Sequence, residues 1–160
     1  PYTTLFRSDF KNIVKLLRDN IKDVALTTDV IVGFPGETNE EFNKTYEFLK
    51  EINFSKMHIF KYSQRKGTKA AVMPNQIDGS IKEQRSKVLL KLSDENEEMY
   101  NSKYVGKNVE VLFEEKDGEF FKGHTTNYIE VWAKGKELEN KIEKVKIIRE
   151  NNKCLIGELV

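Results

Sequence analysis

The chain has 160 residues, of which 38% are hydrophobic, and its 27 basic and 26 acidic residues leave a net charge of +1. We expect a soluble globular protein with one domain or two small ones. The charge balance excludes an overall basic surface, so RNA would have to bind through a local stripe. The single cysteine, Cys154, excludes an internal disulfide framework and a metal site built on several thiolates. It is interpreted as a small apolar residue of a terminal strand.

The sequence carries no recognisable targeting segment. No run approaches the ~18 apolar residues of a membrane span, and the start lacks the pattern of a secretory signal, so we expect a cytoplasmic protein. Residues 1–8 read PYTTLFRS, which resembles the translation of a common sequencing adapter. We therefore interpret 1–8 as an artefact and expect the natural reading frame to continue upstream.

The first half of the chain alternates helical with strand-like segments. Apolar periodicity predicts a helix over 9–20, a strand over 24–33, a helix over 38–53 and a strand over 54–62. This order predicts parallel βαβ units with right-handed crossovers. Capping boxes, Thr38 with Glu41 and Ser80 with Glu83, open the second helix and a later long helix that follows a connector over 64–78.

The segment 29–38 is the first candidate site, because it runs a strand into a tight turn and then into a helix. Pro35 and Gly36 at the centre predict a type II turn. We expect the backbone donors of this turn to face a nucleotide at the carboxyl end of the strand. Asp29 lies inside an apolar strand and therefore requires hydrogen bonds, which ribose hydroxyls would supply.

A second candidate site follows the strand over 54–62. The loop after it carries the densest group of basic residues in the chain, namely Lys61, Arg65, Lys66 and Lys69. A basic loop at a strand's carboxyl end suits an anionic partner such as RNA phosphate, and a merely solvated loop is the alternative. His58 is interpreted as a hydrogen-bonded strand histidine rather than a proton carrier, because the sequence shows no acidic partner.

After a domain boundary near 104–106 the sequence pattern changes to five short strand-like runs. They predict a small β-barrel or sandwich with strands over 109–113, 120–124, 128–133, 142–149 and 154–160. The run 122–131 combines small polar residues with a histidine and a tyrosine, which RNA-binding barrels use for stacking, although threonine and tyrosine also simply favour strands. Phe121 and Trp132 are expected to be buried or half-buried.

Three motifs together resemble the radical S-adenosylmethionine methylthiotransferases. They are DVIVGFPGET at 29–38, HIFKYSQRKGTKAA at 58–71 and GHTTNYIEV at 123–131. The variants at His58 and at Asn127-Tyr128 look most like the branch that acts on threonylcarbamoyladenosine in tRNA. The resemblance extends over about residues 9–160.

The resemblance implies an α/β chain made of three parts. Residues 9–78 would be the last βα units of an incomplete radical-enzyme barrel, 79–104 a linker helix, and 105–160 a TRAM domain with an OB-like barrel that binds tRNA. The implied contacts to S-adenosylmethionine are Asp29, Ile31, Gly33, Phe60 and Tyr62. The implied RNA contacts are Arg65, Lys66, Lys122, His124, Asn127 and Tyr128.

The chain departs from this family in its cysteines. The family holds one 4Fe-4S cluster on a C-x3-C-x2-C loop and a second in an amino-terminal domain, whereas Cys154 matches no cluster ligand. We therefore expect no catalytic or metal-binding residue here and no activity of this chain alone. An aromatic carbon-hydrogen bond of adenosine requires radical chemistry from a cofactor, because no side-chain base can remove its proton.

Three alternatives remain open at the level of the sequence. The family also contains enzymes for isopentenyladenosine in tRNA and for an aspartate of a ribosomal protein. A non-catalytic RNA-binding module, with the βα part as a scaffold only, is the alternative from another class.

Overall fold

A computed structural model describes residues 2–160, with side chains from Arg7 onward. The proposed adapter-derived start, 1–8, therefore falls mostly outside the described side chains. The chain divides into two compact units, the first formed by 1–22 and 26–96 and the second by 23–25 and 97–160. No helix in the described part is both long and apolar enough to span a bilayer.

The first unit is a two-stranded parallel sheet with helices packed on one face. Its elements are α1 (Tyr2–Asn20), β1 (Thr27–Val32), α2 (Asn39–Ile52), β2 (Lys56–Lys61) and the first part of α3 (Gly79–Ser102). β1 pairs with β2 in parallel, with Val30 beside Ile59. The core contains Val14, Val32, Phe42, Leu49, Ile52, Phe54, Met57, Leu89 and Leu92. The predicted parallel βαβ pairing is confirmed.

The two predicted capping boxes have different outcomes. Thr38 caps α2 with reciprocal bonds to Glu41, as predicted. The box from Ser80 to Glu83 is wrong, because the Asp78 carboxylate accepts hydrogen bonds from the Ser80 amide at 2.8 Å and from its hydroxyl. Asp78 therefore occupies the cap position, where a carboxylate also stabilises the helix dipole.

The second unit is a closed five-stranded barrel. Its strands are β3 (Asn108–Asp117), β4 (Phe120–Thr125), β5 (Glu130–Lys134), β6 (Ile142–Asn151) and β7 (Cys154–Leu159), joined in the order β3-β4-β5-β7-β6. Within the barrel the β5–β7 pair is parallel and the other four pairs are antiparallel. The alternating residues of these strands fill the core, with Val111, Phe113, Val131, Val145 and Ile147 fully buried. The mixed α/β content is confirmed, whereas the relation to a radical-enzyme barrel stays a prediction.

Several apolar predictions for this barrel are confirmed. Phe121 is a core residue, Trp132 is half-buried and Cys154 is buried on β7. Gly123, which opens the GHTTNYIEV motif, allows two strands to approach closely. A Cβ at this position would lie 2.1 Å from the Leu112 carbonyl oxygen, so the barrel itself requires glycine here.

Candidate functional site

Three of the five predicted cofactor residues, Asp29, Ile31 and Phe60, lie together on the face of the β1–β2 sheet opposite the helices. Gly33 and Tyr62 follow the ends of the two strands and lie next to Lys82 of α3. Asp29 is the register partner of His58, and Ile31 is the register partner of Phe60. Ile31 is 57% exposed and Phe60 is 52% exposed, while the alternate residues of both strands pack into the core. The sheet thus presents a carboxylate, an imidazole and two apolar side chains on one open surface.

Two predictions about this face need correction. Asp29 is exposed, so its carboxylate does not need the compensating hydrogen bonds that a buried position would demand. His58 is also exposed, and among the described residues its ring has no hydrogen-bond partner. The acidic neighbour that the sequence did not reveal is Asp29, because parallel pairing places residues 29 places apart side by side.

The Pro35-Gly36 turn has the predicted type II geometry. The Glu37 amide donates to the Phe34 carbonyl at 3.0 Å, and Gly36 has φ +87°. The expectation that its backbone donors face a nucleotide is wrong, because they are used internally. The Gly36 amide donates to the Asn75 carbonyl at 2.9 Å, and the Gly33 amide donates to the Glu37 carboxylate at 2.6 Å.

The Glu37 carboxylate also forms a buried ion pair that the sequence did not reveal. Arg85 on α3 donates to it at 2.6 Å and to the Glu37 carbonyl at 3.0 Å, and only 6% of the Arg85 side chain is exposed. The other guanidinium nitrogen donates to the Asn39 side chain at 2.8 Å. This network connects the turn at the end of β1 to α3 and to the start of α2.

Tyr62 directly follows β2 and contacts Lys82 near the start of α3. Its ring packs edge-on against Phe34 at 5.3 Å between centroids, and Lys82 lies 5.2 Å from the ring centre. Its hydroxyl is buried and has no hydrogen-bond partner among the described residues. A buried hydroxyl without a partner is unfavourable.

The basic loop after β2 is well ordered by its own contacts. Thr68 caps a short 3₁₀ helix over Lys69–Val72, and its hydroxyl donates to the Arg65 carbonyl at 2.8 Å. Lys61 forms an ion pair with Glu83 at 2.7 Å. The side chains of Arg65 and Lys66 are exposed, and neither forms an ion pair with a described residue.

In the second unit the predicted RNA contacts differ in how many internal ion pairs and hydrogen bonds their side chains form. Lys122 forms ion pairs with Asp117 at 2.5 Å and Glu115 at 3.5 Å. The hydrogen bond to Asp117 raises the pKa of Lys122 above its usual value. Lys122 thus already has two carboxylate partners within its own unit.

His124 and Tyr128 form a stacked pair on the surface of the barrel. Their ring centres are 4.5 Å apart and the planes are inclined by 19°. Nδ1 of His124 lies 2.5 Å from a carboxylate oxygen of Glu114, and Tyr128 is 80% exposed. The structure thus brings two of the predicted RNA-contact side chains together as one flat surface.

Asn127 has a structural environment that the sequence did not reveal. Its amide nitrogen lies 2.6 Å from the Tyr104 hydroxyl, 2.8 Å from the Tyr100 hydroxyl and 3.1 Å from the Asp23 carbonyl. Its carbonyl oxygen accepts from the Thr125 hydroxyl at 2.7 Å. Burial raises the pKa of Tyr104, so this phenol stays protonated as the network requires. The Asn127 side chain is fully used within the unit, which argues against a direct RNA contact.

The cysteine and carboxylate side chains of the described residues do not form a binding site for an iron-sulfur cluster. No group of three or more histidine, cysteine or acidic side chains there has the arrangement of a metal site. Cys154 donates to the Asn151 carbonyl, and burial raises the pKa of its thiol. A protonated, buried thiol is a poor ligand and a poor nucleophile.

Comparisons with known proteins place the chain by sequence. No known family model matches it. The threonylcarbamoyladenosine tRNA methylthiotransferase of Bacillus subtilis is 44% identical over 154 residues, covering 92% of this chain and 34% of that protein. A probable threonylcarbamoyladenosine tRNA methylthiotransferase of Methanocaldococcus jannaschii is 45% identical over 152 residues, covering 95% of this chain and 34% of that protein.

Relatives named for a different nucleoside are similar to nearly the same extent. A tRNA-2-methylthio-N(6)-dimethylallyladenosine synthase of Caldicellulosiruptor saccharolyticus is 38% identical over 157 residues, covering 96% of this chain and 33% of that protein. The chain therefore spans about a third of the length of the curated relatives it matches. The resemblance predicted from the three motifs is confirmed, and by sequence the chain belongs with the tRNA methylthiotransferases.

Proposed function

We propose that this chain is the carboxyl-terminal part of an enzyme that methylthiolates carbon 2 of threonylcarbamoyladenosine beside the anticodon of tRNA. The observation that carries the proposal is the open face of the β1–β2 sheet. Register pairing brings Asp29, Ile31 and Phe60 to one exposed surface, as a cofactor wall requires. The first unit then belongs to a radical-enzyme barrel and the second is a TRAM domain.

The chemistry of this face fits the adenosine part of S-adenosylmethionine. The exposed Asp29 carboxylate is an acceptor for ribose hydroxyls, and Ile31 with Phe60 provides an apolar wall for adenine. Tyr62 would adjoin this surface through its ring rather than its hydroxyl, which is buried. Gly33, with φ +72°, allows the chain to turn at the end of β1. S-adenosylmethionine would supply the radical and the methyl group.

These residues would bind and orient the cofactor, whereas no described group could hold an iron-sulfur cluster. We infer that the cluster ligands lie in the part of the protein that corresponds to the other two thirds of the relatives. This chain alone would then bind RNA and contribute one wall of the cofactor site without catalysing the reaction. Arg65 and Lys66 would contact tRNA phosphates, because they are exposed and lack ion-pair partners among the described residues.

A second candidate substrate is the dimethylallyl-bearing adenosine. Relatives named for that nucleoside reach 46% identity, although over only 109 residues. Two chimeras can distinguish the candidates. In the first, residues 9–160 replace the matching region of the Bacillus subtilis relative. In the second, they replace the matching region of the Caldicellulosiruptor saccharolyticus relative. We expect both chimeras to bind tRNA, and the first to restore methylthio-threonylcarbamoyladenosine in cells that lack that enzyme.

Mass spectrometry of tRNA nucleosides gives the result. Restoration of only the dimethylallyl product would favour the second candidate. If both chimeras are folded but neither modifies tRNA, and the complete gene lacks a three-cysteine loop upstream, the non-catalytic RNA-binding module is correct instead.

The role of Asp29 can be tested in the active chimera. Asp29→Ala should weaken S-adenosylmethionine binding about tenfold, because a carboxylate that accepts hydrogen bonds contributes more than a neutral acceptor. Asp29→Asn, which retains one acceptor, should lose less. Asp19→Ala, an exposed aspartate paired with Lys15, is the matched control. Equal dissociation constants for all variants in equilibrium dialysis would remove Asp29 from the site.

A further inference from the structure

Tyr128 has an unusual backbone conformation for a large side chain. The hairpin between β4 and β5 closes with a bond from the Tyr128 amide to the Thr125 carbonyl at 2.9 Å, and Tyr128 has φ +65°. Tight hairpins place a left-handed residue here, usually glycine or asparagine. A tyrosine at such a position is strained, and residues with strained backbones concentrate at functional sites.

The neighbours of Tyr128 hold it in this conformation. The Thr125 hydroxyl accepts from the Ile129 amide at 3.0 Å and donates to the Asn127 side chain. Asn127 in turn contacts the two tyrosine hydroxyls at the end of α3. The peptide units on both sides of Tyr128 are therefore fixed, while its side chain remains 80% exposed.

Burial does not explain this arrangement. Tyr128 buries little surface in exchange for the strained backbone, and its ring only stacks on His124. An exposed aromatic ring on a fixed backbone, with one face covered by a second ring, has the geometry of a stacking platform for a nucleobase.

Positive charge lies beside the same network. Nζ of Lys103 is 5.4 Å from the centre of the Tyr100 ring, and Nζ of Lys107 is 5.1 Å from the centre of the Tyr104 ring. Both lysines are exposed, and in the described part of the chain neither forms an ion pair. They are better placed to meet phosphate than Lys122, which two carboxylates already neutralise.

We propose that Tyr128, backed by His124, stacks on an unpaired nucleobase of RNA, and that Lys103 and Lys107 bind the adjacent phosphates. Asn127 is a positioning residue that holds Tyr128 in its left-handed conformation. The inference rests on the proposed function, because it names the RNA element that the second unit recognises.

Fluorescence anisotropy of the 160-residue chain with two labelled RNAs tests the platform. One RNA is a hairpin with an unpaired adenosine loop and the other is a fully paired duplex. Tyr128→Ala should raise the dissociation constant for the hairpin about tenfold, whereas Tyr128→Phe should stay within about twofold. Neither should change duplex binding. Ile142→Ala, an exposed apolar residue of the same barrel, is the control and should have no effect.

The roles of Lys103 and Lys107 are tested separately, by the salt dependence of RNA binding. Lys103→Ala and Lys107→Ala should each reduce the slope of log affinity against log salt by about 0.7, for any loop sequence. Lys136→Ala, another exposed lysine, should leave the slope unchanged. Slopes that do not respond to either substitution would overturn their assignment.

The positioning role of Asn127 is tested by a double-mutant cycle. Asn127→Ala should weaken hairpin binding in the parent chain but not in a Tyr128→Ala background. Tyr128→Gly should lose affinity as Tyr128→Ala does and yet keep the thermal midpoint, because glycine relieves the backbone strain. Additive losses in the cycle would overturn the positioning role.

The outcomes also separate this inference from the proposed function. If the unaltered chain binds neither RNA, both the RNA role and the platform are wrong. If it binds the hairpin but Tyr128→Ala binds equally well, only the platform is wrong.

Discussion

Replacing Arg85 with methionine should strongly destabilise the first unit. Arg85 and Glu37 form an ion pair at 2.6 Å with side chains only 6% and 15% exposed. Methionine retains most of the volume but leaves the Glu37 carboxylate buried, with the Gly33 amide as its one remaining donor among the described residues. The turn at the end of β1 would lose its main anchor.

The expected loss follows from the burial of the pair. Removing one partner of a buried ion pair costs about 3–5 kcal/mol, because the remaining charge is uncompensated. Domains of this size are stable by only about 5–15 kcal/mol, so the loss is a large fraction of the total. An exposed pair behaves differently. Lys44 and Glu40 are also 2.6 Å apart but are mostly exposed, and Lys44→Met should cost less than about 0.5 kcal/mol.

Urea denaturation followed by circular dichroism at 222 nm gives both free energies of unfolding. Arg85→Met should lower the transition midpoint with little change in slope. Glu37→Gln combined with Arg85→Met should recover much of the loss, because the isolated charge is then removed. A loss for Arg85→Met below about 1 kcal/mol would refute the assignment of this pair as the anchor of the turn.

Three further predictions follow from local geometry and charge. Gly123→Ala should cost about 3 kcal/mol or more, since its Cβ would meet the Leu112 carbonyl oxygen, whereas Gly79→Ala has open space and should be neutral or stabilising in the same urea assay. Hydrogen bonds from Ser80 lower the pKa of Asp78 below its ordinary value of 3.8, so its contribution to stability is complete above that pH and is lost as the pH falls further. Asp78→Asn should therefore flatten the fall of the thermal midpoint below pH 3.8. Ser80→Ala should lower the midpoint at pH 7 less than Asp78→Ala does, and the reverse order would restore Ser80 as the cap. Reversing the charges of Arg65 and Lys66 should weaken tRNA binding by the active chimera and lower its salt dependence by about 0.7 per lost phosphate contact. Unchanged binding across a salt titration would reject that loop as an RNA contact.

Local patterns predicted the elements of both units, because these patterns depend on neighbours in sequence. Apolar spacing predicted α2 and residues 9–20 of α1, which begins earlier, at Tyr2, and turn signals separated the five barrel strands. The type II turn was predicted because Pro35 and Gly36 restrict their own backbone angles. The cap of α3 was misassigned because Asp78 and Ser80 are both good capping residues, and only the actual chain path shows which one reaches the amide groups.

The arrangement of the candidate site depends more on long-range contacts than the helices and strands do. Asp29 and His58 became neighbours only through parallel pairing, and their exposure follows from a sheet of two strands with one face uncovered. Likewise, Asn127 was predicted as an RNA contact from its motif. The hydroxyls that use its amide come from Tyr100 and Tyr104, more than twenty residues earlier in the chain.

The sequence by itself therefore determined the family, most of the helix and strand segments, and the residue types available for the proposed cofactor wall and the proposed RNA contacts. Tertiary structure decided which of those side chains are free to bind. Lys122 and Asn127 are engaged by partners within their own unit, whereas Tyr128 and Lys107 are presented to solvent. The physical reason is that hydrogen bonds and ion pairs form between groups that folding brings together, and a binding residue must be left over from those internal contacts.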